Sequence, residues 1–465
     1  MGFPRANRYF KTTNEKRLIP PNVNKKGDFP HFDGFSLNGA LCFSASFYYL
    51  GLENMEGIKE YGFDSFPVGE LQRFQNENVY ITETAPLRKT SLKDLTAGGY
   101  LSFVEPNLPE GLISAQNYSE IKKLASCFTP NVTSFFGFES RLNSPDARAD
   151  FLFAVSSQGG EREALLRFLH NEHEAHQFLR HKEWQNIRDF VTTWANPASE
   201  LYTNVLGLWL EFDTAYASQD APIPCVFIHT IPLQITSSEE ERTYDWAFHS
   251  ALPLLLGHPL SSHLHQRLLE ALRKLPEGAS VMDIGFMLSR ATTGARLVFK
   301  HLHPSQIIPY LESLGWSDIN NELACIIKEL QQKVTRVVLH ITITEQGVDP
   351  KIGLECSFSP DRYHLETQWA SFFDYLVRKG VCCPEKKTEV MNFLGVSQDH
   401  PSEPFNLSSY KIAVLVPSEA SANALVRYIS HVKLVYKPGR PLEAKVYPGV
   451  RLFGLQSTWR DLDVC

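Results

Sequence analysis

Charged and apolar side chains take turns along HVKLVYKPGRPLEAKVYPG, the stretch from His431 to Gly449. Lys433, Lys437, Glu443, Lys445 and Tyr447 are interleaved with Val432, Leu434, Ala444 and Val446 around a Pro-Gly turn. Successive side chains of a β-strand point to opposite faces. The stretch therefore reads as a hairpin with one greasy face and one charged face. On an open sheet the charged face meets water. On a closed sheet it lines a polar cavity. Much of what this chain can do turns on that choice.

The same two-faced pattern recurs upstream. In VLGLWLEFD, Leu206, Leu208, Leu210 and Phe212 oppose Gly207, Trp209, Glu211 and Asp213. In SVMDIGFMLS, Met282, Ile284, Phe286 and Leu288 oppose Asp283, Gly285 and Met287. In ARLVFKHL, Leu297 and Phe299 oppose Arg296, Val298 and Lys300. In TRVVLHITITE, Val337, Leu339, Ile341 and Ile343 oppose Val338, His340, Thr342 and Thr344. In KIGLECSFS, Ile352, Leu354, Cys356 and Phe358 oppose Gly353, Glu355 and Ser357. The mixed faces hold Gly, Trp, Met and Val beside their charges, unlike a fully solvated face.

Helical periods separate the strand pairs, as in EREALLRFLHNEHEAHQFL, SHLHQRLLEALRKL and ETQWASFFDYLVRKG. Five hairpins flanked by helices give an α-β-β-α unit repeated over residues 116–465. Residues 1–115 are rich in Gly, Pro, Asn and aromatics, and read as an N-terminal extension packed on the main domain. Each sheet needs cover for its apolar face, and each helix needs somewhere to bury its stripe. Closing ten strands into a barrel removes the edges and leaves a lumen wide enough for a ligand. The predicted fold is α+β: a ten-strand antiparallel barrel with helices outside.

Composition narrows the partners. The 465 residues are 43% hydrophobic and 21% charged, as in an ordinary soluble protein. A net charge of -7 argues against a general nucleic-acid binder. Eight Cys without a CxxC pair point to reduced thiols and a cytoplasmic location. The apolar run ALPLLLG is too short to span a bilayer, and MGFPRANRYF lacks the apolar core of a secretory signal. Aspartate-rich metal clamps, Walker loops, GxGxxG and GxSxG are absent. His170, His173 and His176 share one expected helix, and a solvated helix face is the favoured reading there over a metal site. No metal ligands are expected.

The repeated α-β-β-α unit, with Lys445-x-Tyr447 on one strand and Arg296 four residues before Lys300 on another, resembles the aromatic prenyltransferases of the ABBA, or PT-barrel, family. The resemblance covers about residues 116–465. It implies transfer of a prenyl group from an allylic diphosphate to an aromatic or peptide-like acceptor in natural-product biosynthesis. It implies diphosphate binding by Arg296, Lys300, Lys433, Lys445 and Tyr447, and acceptor chemistry at Glu211 or Glu355. Trp209 and Phe227 would shield the allylic cation with their ring faces. No cofactor is implied, with Mg2+ left open. Two competing readings share the architecture: a non-catalytic barrel that carries a hydrophobic ligand or peptide, and another modifying enzyme acting on a phosphorylated substrate.

Overall fold

The computed structural model describes residues 96–214, 221–235, 244–290, 294–318, 321–358, 367–398 and 423–454. Among them, twelve strands form one antiparallel sheet. They are β1 (Phe135–Arg141), β2 (Ala149–Ser156), β3 (Val205–Phe212), β4 (Cys225–Leu233), β5 (Ser280–Phe286) and β6 (Ala295–Lys300). Then come β7 (Arg336–Thr344), β8 (Gly347–Val348), β9 (Ile352–Ser357), β10 (Gly395–Gln398), β11 (Asn423–Tyr436) and β12 (Glu443–Gly454).

Ten of these strands close into a barrel. β1 to β7 pair in chain order, β7 pairs with β9, and β9 with β11. β11 pairs with β12, and β12 returns to β1. β8 extends β7 at one end, and β10 pairs with the N-terminal part of β11 outside the ring. The ten-strand barrel expected from the alternation is the one observed.

The outer face is covered by helices. Their residues Leu165, Phe168, Trp184, Leu268, Leu311 and Phe373 share one continuous core with strand residues Phe153, Leu210, Leu297, Leu339, Leu354 and Val446. Phe128 sits at a dense point, its ring centroid 4.9 Å from that of Phe153 and 5.1 Å from that of Phe168. Burying each such ring stabilises the fold by roughly 1.5–3 kcal/mol. The inner face has no comparable core. Its apolar side chains fall into three small clusters, including Phe135 with Tyr428, Phe227 with Met287, and Met282 with Val298 and Val338.

Several details depart from the sequence reading. The final hairpin is longer than its alternating stretch, with strands of 14 and 12 residues, because β11 begins at Asn423. Met282, expected among the helices, turns into the lumen. The register slips between Val281 and Asp283, so that Met282 and Asp283 both face inward. A second slip between Ile429 and His431 does the same for Ser430 and His431. The expected helix carrying the three histidines breaks at Asn171, whose side chain caps a new short helix from Glu172 to Ala175. His170 bonds Thr192 at 2.9 Å, while His176 lies beyond the break near Arg180. Of the expected N-terminal extension, residues 1–95 lie outside the described residues. Its last part forms helix Ala97–Val104, whose Leu101 carbonyl accepts from the Tyr118 hydroxyl at 2.5 Å.

Candidate active site

The barrel interior divides into a charged cleft and an aromatic chamber that share Glu211, His340, Lys433 and Tyr447. Arg290, Arg296, Lys351, Lys433 and Lys445 line the cleft, against the carboxylates Glu139 and Glu211. Phe135, Leu152, Trp209, Phe227, Met282 and Val298 supply the apolar wall of the chamber. The empty space in and around the chamber, open solvent included, is about 860 Å³.

The cleft is built by cross-strand pairing. Lys433 on β11 stands opposite Lys445 on β12, a pairing of like charges that would be destabilising without counterions. Glu139 on β1 supplies one. Its carboxylate binds both the Lys445 ammonium and the Tyr447 hydroxyl. Burial works to raise the Glu139 carboxyl, but Lys445, Tyr447 and Lys433 outweigh it and hold it down at about 2. Burial and the charge of Glu139 push the Tyr447 phenol well above its ordinary value, so it remains a neutral donor. At the edge, Arg290 grips Asp213 through Nε at 2.8 Å and Nη2 at 2.5 Å. Arg296 donates to Thr342 Oγ1 at 3.4 Å.

Lys433 links the two halves. Its Nζ lies 3.0 Å from His340 Nδ1, and His340 Nε2 lies 3.0 Å from Glu355 Oε2. Gly353 on the strand between them makes this reach possible, because a Cβ there would meet Lys433 Cε at 2.9 Å and His340 Cβ at 3.1 Å. Burial, then the nearby Arg296 charge, lowers the Lys433 ammonium to about 7. Burial and Lys433 lower the His340 imidazole to about 3, so it is neutral and its Nδ1 can accept from Lys433. Glu355 is held well below the carboxylate range: burial opposes its charge, but His431 and His340 prevail. His431 stacks on Tyr447 with ring centroids 4.1 Å apart.

Glu211 is different. No hydrogen bond engages its carboxyl among the described residues, although it lines both spaces. Burial and the charge of Glu139 push it up to about 7, against the pull of Lys433 and Arg296. Beside it on β3, Trp209 meets the Phe135 ring edge to face at 5.3 Å. Phe227 lies across Gly285 on the next strand, where a Cβ would stand 2.2 Å from its ring.

Eight of the nine residues singled out in the sequence therefore gather in this lumen: Glu211, Glu355, Arg296, Lys433, Lys445, Tyr447, Trp209 and Phe227. Lys300 does not join them. It ends β6, roughly 13 Å along the strand from Arg296, and lines neither space. Burial lowers its ammonium there. Sequence reasoning missed Glu139, Arg290, Lys351, His431 and a buried His229–Asp283 pair. The alternation test, applied to FFGFESR, would have placed Glu139 on the lumen face.

The lumen's acidic groups are mostly engaged by neighbouring side chains. Glu139 is engaged by Lys445, Asp213 by Arg290, Asp283 by His229 and Glu355 by His340. Among the described residues, no group of three or more His, Cys, Asp or Glu is placed to hold a metal ion. Among the same residues, no helix is long and apolar enough to cross a membrane.

No protein-family model matches the chain, and no curated protein does. Among solved structures it is similar to the apo form of the prenyltransferase PriB, at 14% identity and a TM-score of 0.45, over 77% of this chain and 96% of that one. PriB in binary complex with product diphosphate matches at 13% identity and a TM-score of 0.39, over 75% and 95% of the two chains. AnaPT from Neosartorya fischeri matches at 13% identity and a TM-score of 0.42, over 72% and 86%.

Proposed function

We propose that this protein is a prenyltransferase that moves an allylic group from a diphosphate to an aromatic or peptide-like acceptor. The observation that carries this reading is the juxtaposition of a five-cation cleft and an aromatic chamber inside one closed lumen. A diphosphate concentrates negative charge that cations fixed in a shielded site stabilise well. An allylic chain and its acceptor need apolar, water-poor surroundings.

In this reading the diphosphate lies against Arg290, Arg296, Lys351, Lys433 and Lys445, with Tyr447 as a neutral donor. Its arrival recharges Lys433, which burial otherwise leaves poised near neutral pH. The allylic C1–O bond breaks, and the diphosphate leaves with the electron pair. Trp209 and Phe227 turn ring faces toward the cation and keep water from it. The acceptor's π electrons close the new bond to C1. Glu211 sits at the boundary of the two spaces and orients the acceptor by a hydrogen bond. Glu355 holds His340 and His431 in place.

The test is direct. The protein is mixed with dimethylallyl, geranyl or farnesyl diphosphate and a panel of indoles, phenols and aromatic peptides. Released pyrophosphate and the product mass are followed. Transfer should occur with at least one pair, and pyrophosphate should raise the melting temperature. Glu211→Gln should lower turnover about ten- to a hundredfold at unchanged pyrophosphate affinity. Absence of both pyrophosphate binding and transfer would sink the proposal. A pure apolar carrier would bind hydrophobic ligands without any response to pyrophosphate.

A further inference from the structure

His229 and Asp283 take no part in the chemistry so far described. They face each other across β4 and β5 as register partners. His229 Nδ1 lies 2.8 Å from Asp283 Oδ1. Both side chains are buried, at 6% and 12% exposure, yet both line the chamber. A carboxylate oxygen accepts, so Nδ1 carries the hydrogen, and in the neutral imidazole Nε2 then holds a lone pair. Among the described residues the Asp283 bond is the one side-chain hydrogen bond of His229, and the ring lines the chamber. Met282, Val298 and Phe227 make the surroundings apolar. On β4, His229 stands one pleat beyond Phe227, roughly 7 Å farther from Cys225, the register partner of Glu211. An acceptor lying over Trp209 and Phe227 thus has one edge toward the cations and the other toward His229.

We infer that the His229–Asp283 pair is a general base that takes the N–H or O–H proton of the acceptor on the side of the chamber away from the cleft, His229 as the catalytic group and Asp283 as its positioning residue. This rests on the prenyl-transfer reading and goes beyond it in naming the group that takes the acceptor's proton. As the heteroatom's proton passes to Nε2, its electron pair enters the ring. The conjugated ring carbon bonds C1, the C1–O bond breaks, and the diphosphate leaves with that pair. The imidazolium then returns its proton to the heteroatom as the ring carbon gives its own to the departing diphosphate, so one proton leaves in all. Asp283 stabilises the imidazolium formed in between. Glu211 pairs with Cys225, four residues along β4 and roughly 13 Å from His229, so the two address different edges.

Two measurements test the pair, and only one depends on prenyl transfer. The first compares binding of 2-naphthol with that of 2-methoxynaphthalene, which keeps the ring but has no hydrogen to give. The wild type should prefer 2-naphthol about three- to tenfold, the worth of one hydrogen bond. Asp283→Asn keeps the shape but donates to Nδ1, which moves the ring hydrogen to Nε2. It should erase the preference, as should His229→Gln. Equal affinities in the wild type, or no binding of either probe, would overturn the proposal. The second measures turnover. Asp283→Asn should lower kcat on the order of 100- to 10,000-fold, with pyrophosphate affinity unchanged. Wild-type kcat in a variant that melts normally would mark the pair as a cross-strand brace and overturn the proposal while leaving the prenyltransferase reading intact. If instead the wild type neither binds pyrophosphate nor transfers, that reading fails, and the naphthol comparison still decides the role of the pair.

Discussion

The two faces of one sheet are built to opposite rules. Outside, every barrel strand feeds a single apolar core shared with the helices. Inside, apolar residues come in three small islands, and between them lie buried His340 and Lys433 and half-buried Glu139, Glu211 and Glu355. Each buried charge costs free energy unless it is paired and hydrogen-bonded. The inner face meets that cost only in part, since Glu211 has no hydrogen bond. The stabilising apolar burial thus lies mostly on the outer face.

The largest effect should come from the outer face. Phe153→Ala removes a fully buried ring packed on Phe128 and Phe212. Stability should fall by about 3–5 kcal/mol in urea unfolding, with pyrophosphate affinity intact where the fold persists. A loss under about 1 kcal/mol would break the comparison. On the inner face the damage should be functional. Lys445→Ala deletes one charge-assisted contact, worth about 1.5–3 kcal/mol, and leaves Glu139 to repel the ligand. Pyrophosphate should bind on the order of ten- to a hundredfold more weakly by calorimetry. Wild-type affinity would mean that the cleft does not recognise diphosphate.

A third prediction uses pH. Glu161 is buried at a helix N-terminus, accepting from the Ser156 amide at 2.7 Å, and burial still raises its carboxyl from 4.5 to about 7. The folded state then holds this proton more tightly than the unfolded chain. Stability is full below about pH 4.5 and declines as the pH rises toward 7. Glu161→Gln should therefore melt a few degrees above wild type at pH 8, a gap that closes by about pH 4.5. A gap that widens on acidification would reverse the sign and refute the account. The smallest effect belongs to Lys437, exposed beside the Pro438–Gly439 turn. Lys437→Ala should change pyrophosphate affinity less than about twofold. A loss equal to that of Lys445→Ala would mean that charge anywhere on this hairpin suffices.

Much of this was legible in the sequence, for a geometric reason. A period of two fixes which residues share a face, so Lys433, Lys445, Tyr447, Glu211 and Trp209 could be placed together before any coordinates. Helix cover outside implied a lumen inside. What stayed hidden breaks that period or lies beyond it. A bulge flips Met282 inward and sets it beside Asp283. Arg290 follows β5 in a turn and Lys351 precedes β9, so neither is on a strand whose face can be read. Pairing across the barrel is also invisible to a local pattern. Nothing in FFGFESR announces that Glu139 meets a lysine 306 residues later.

That long-range pair has a kinetic meaning. The barrel shuts along the seam between β1 and β12, where Arg141 pairs with Lys445 and Phe135 with Arg451. On a ribosome, β1 emerges early and must wait for nearly the whole chain before its partner appears. Loop closure over such a span is slow, and until it happens two sheet edges stay open to wrong partners. Two of the five cleft cations, Lys433 and Lys445, stand on one side of that seam, and Glu139 on the other. A nascent chain thus cannot assemble its charged site in stages. Competence arrives with the last hairpin, in a single late event.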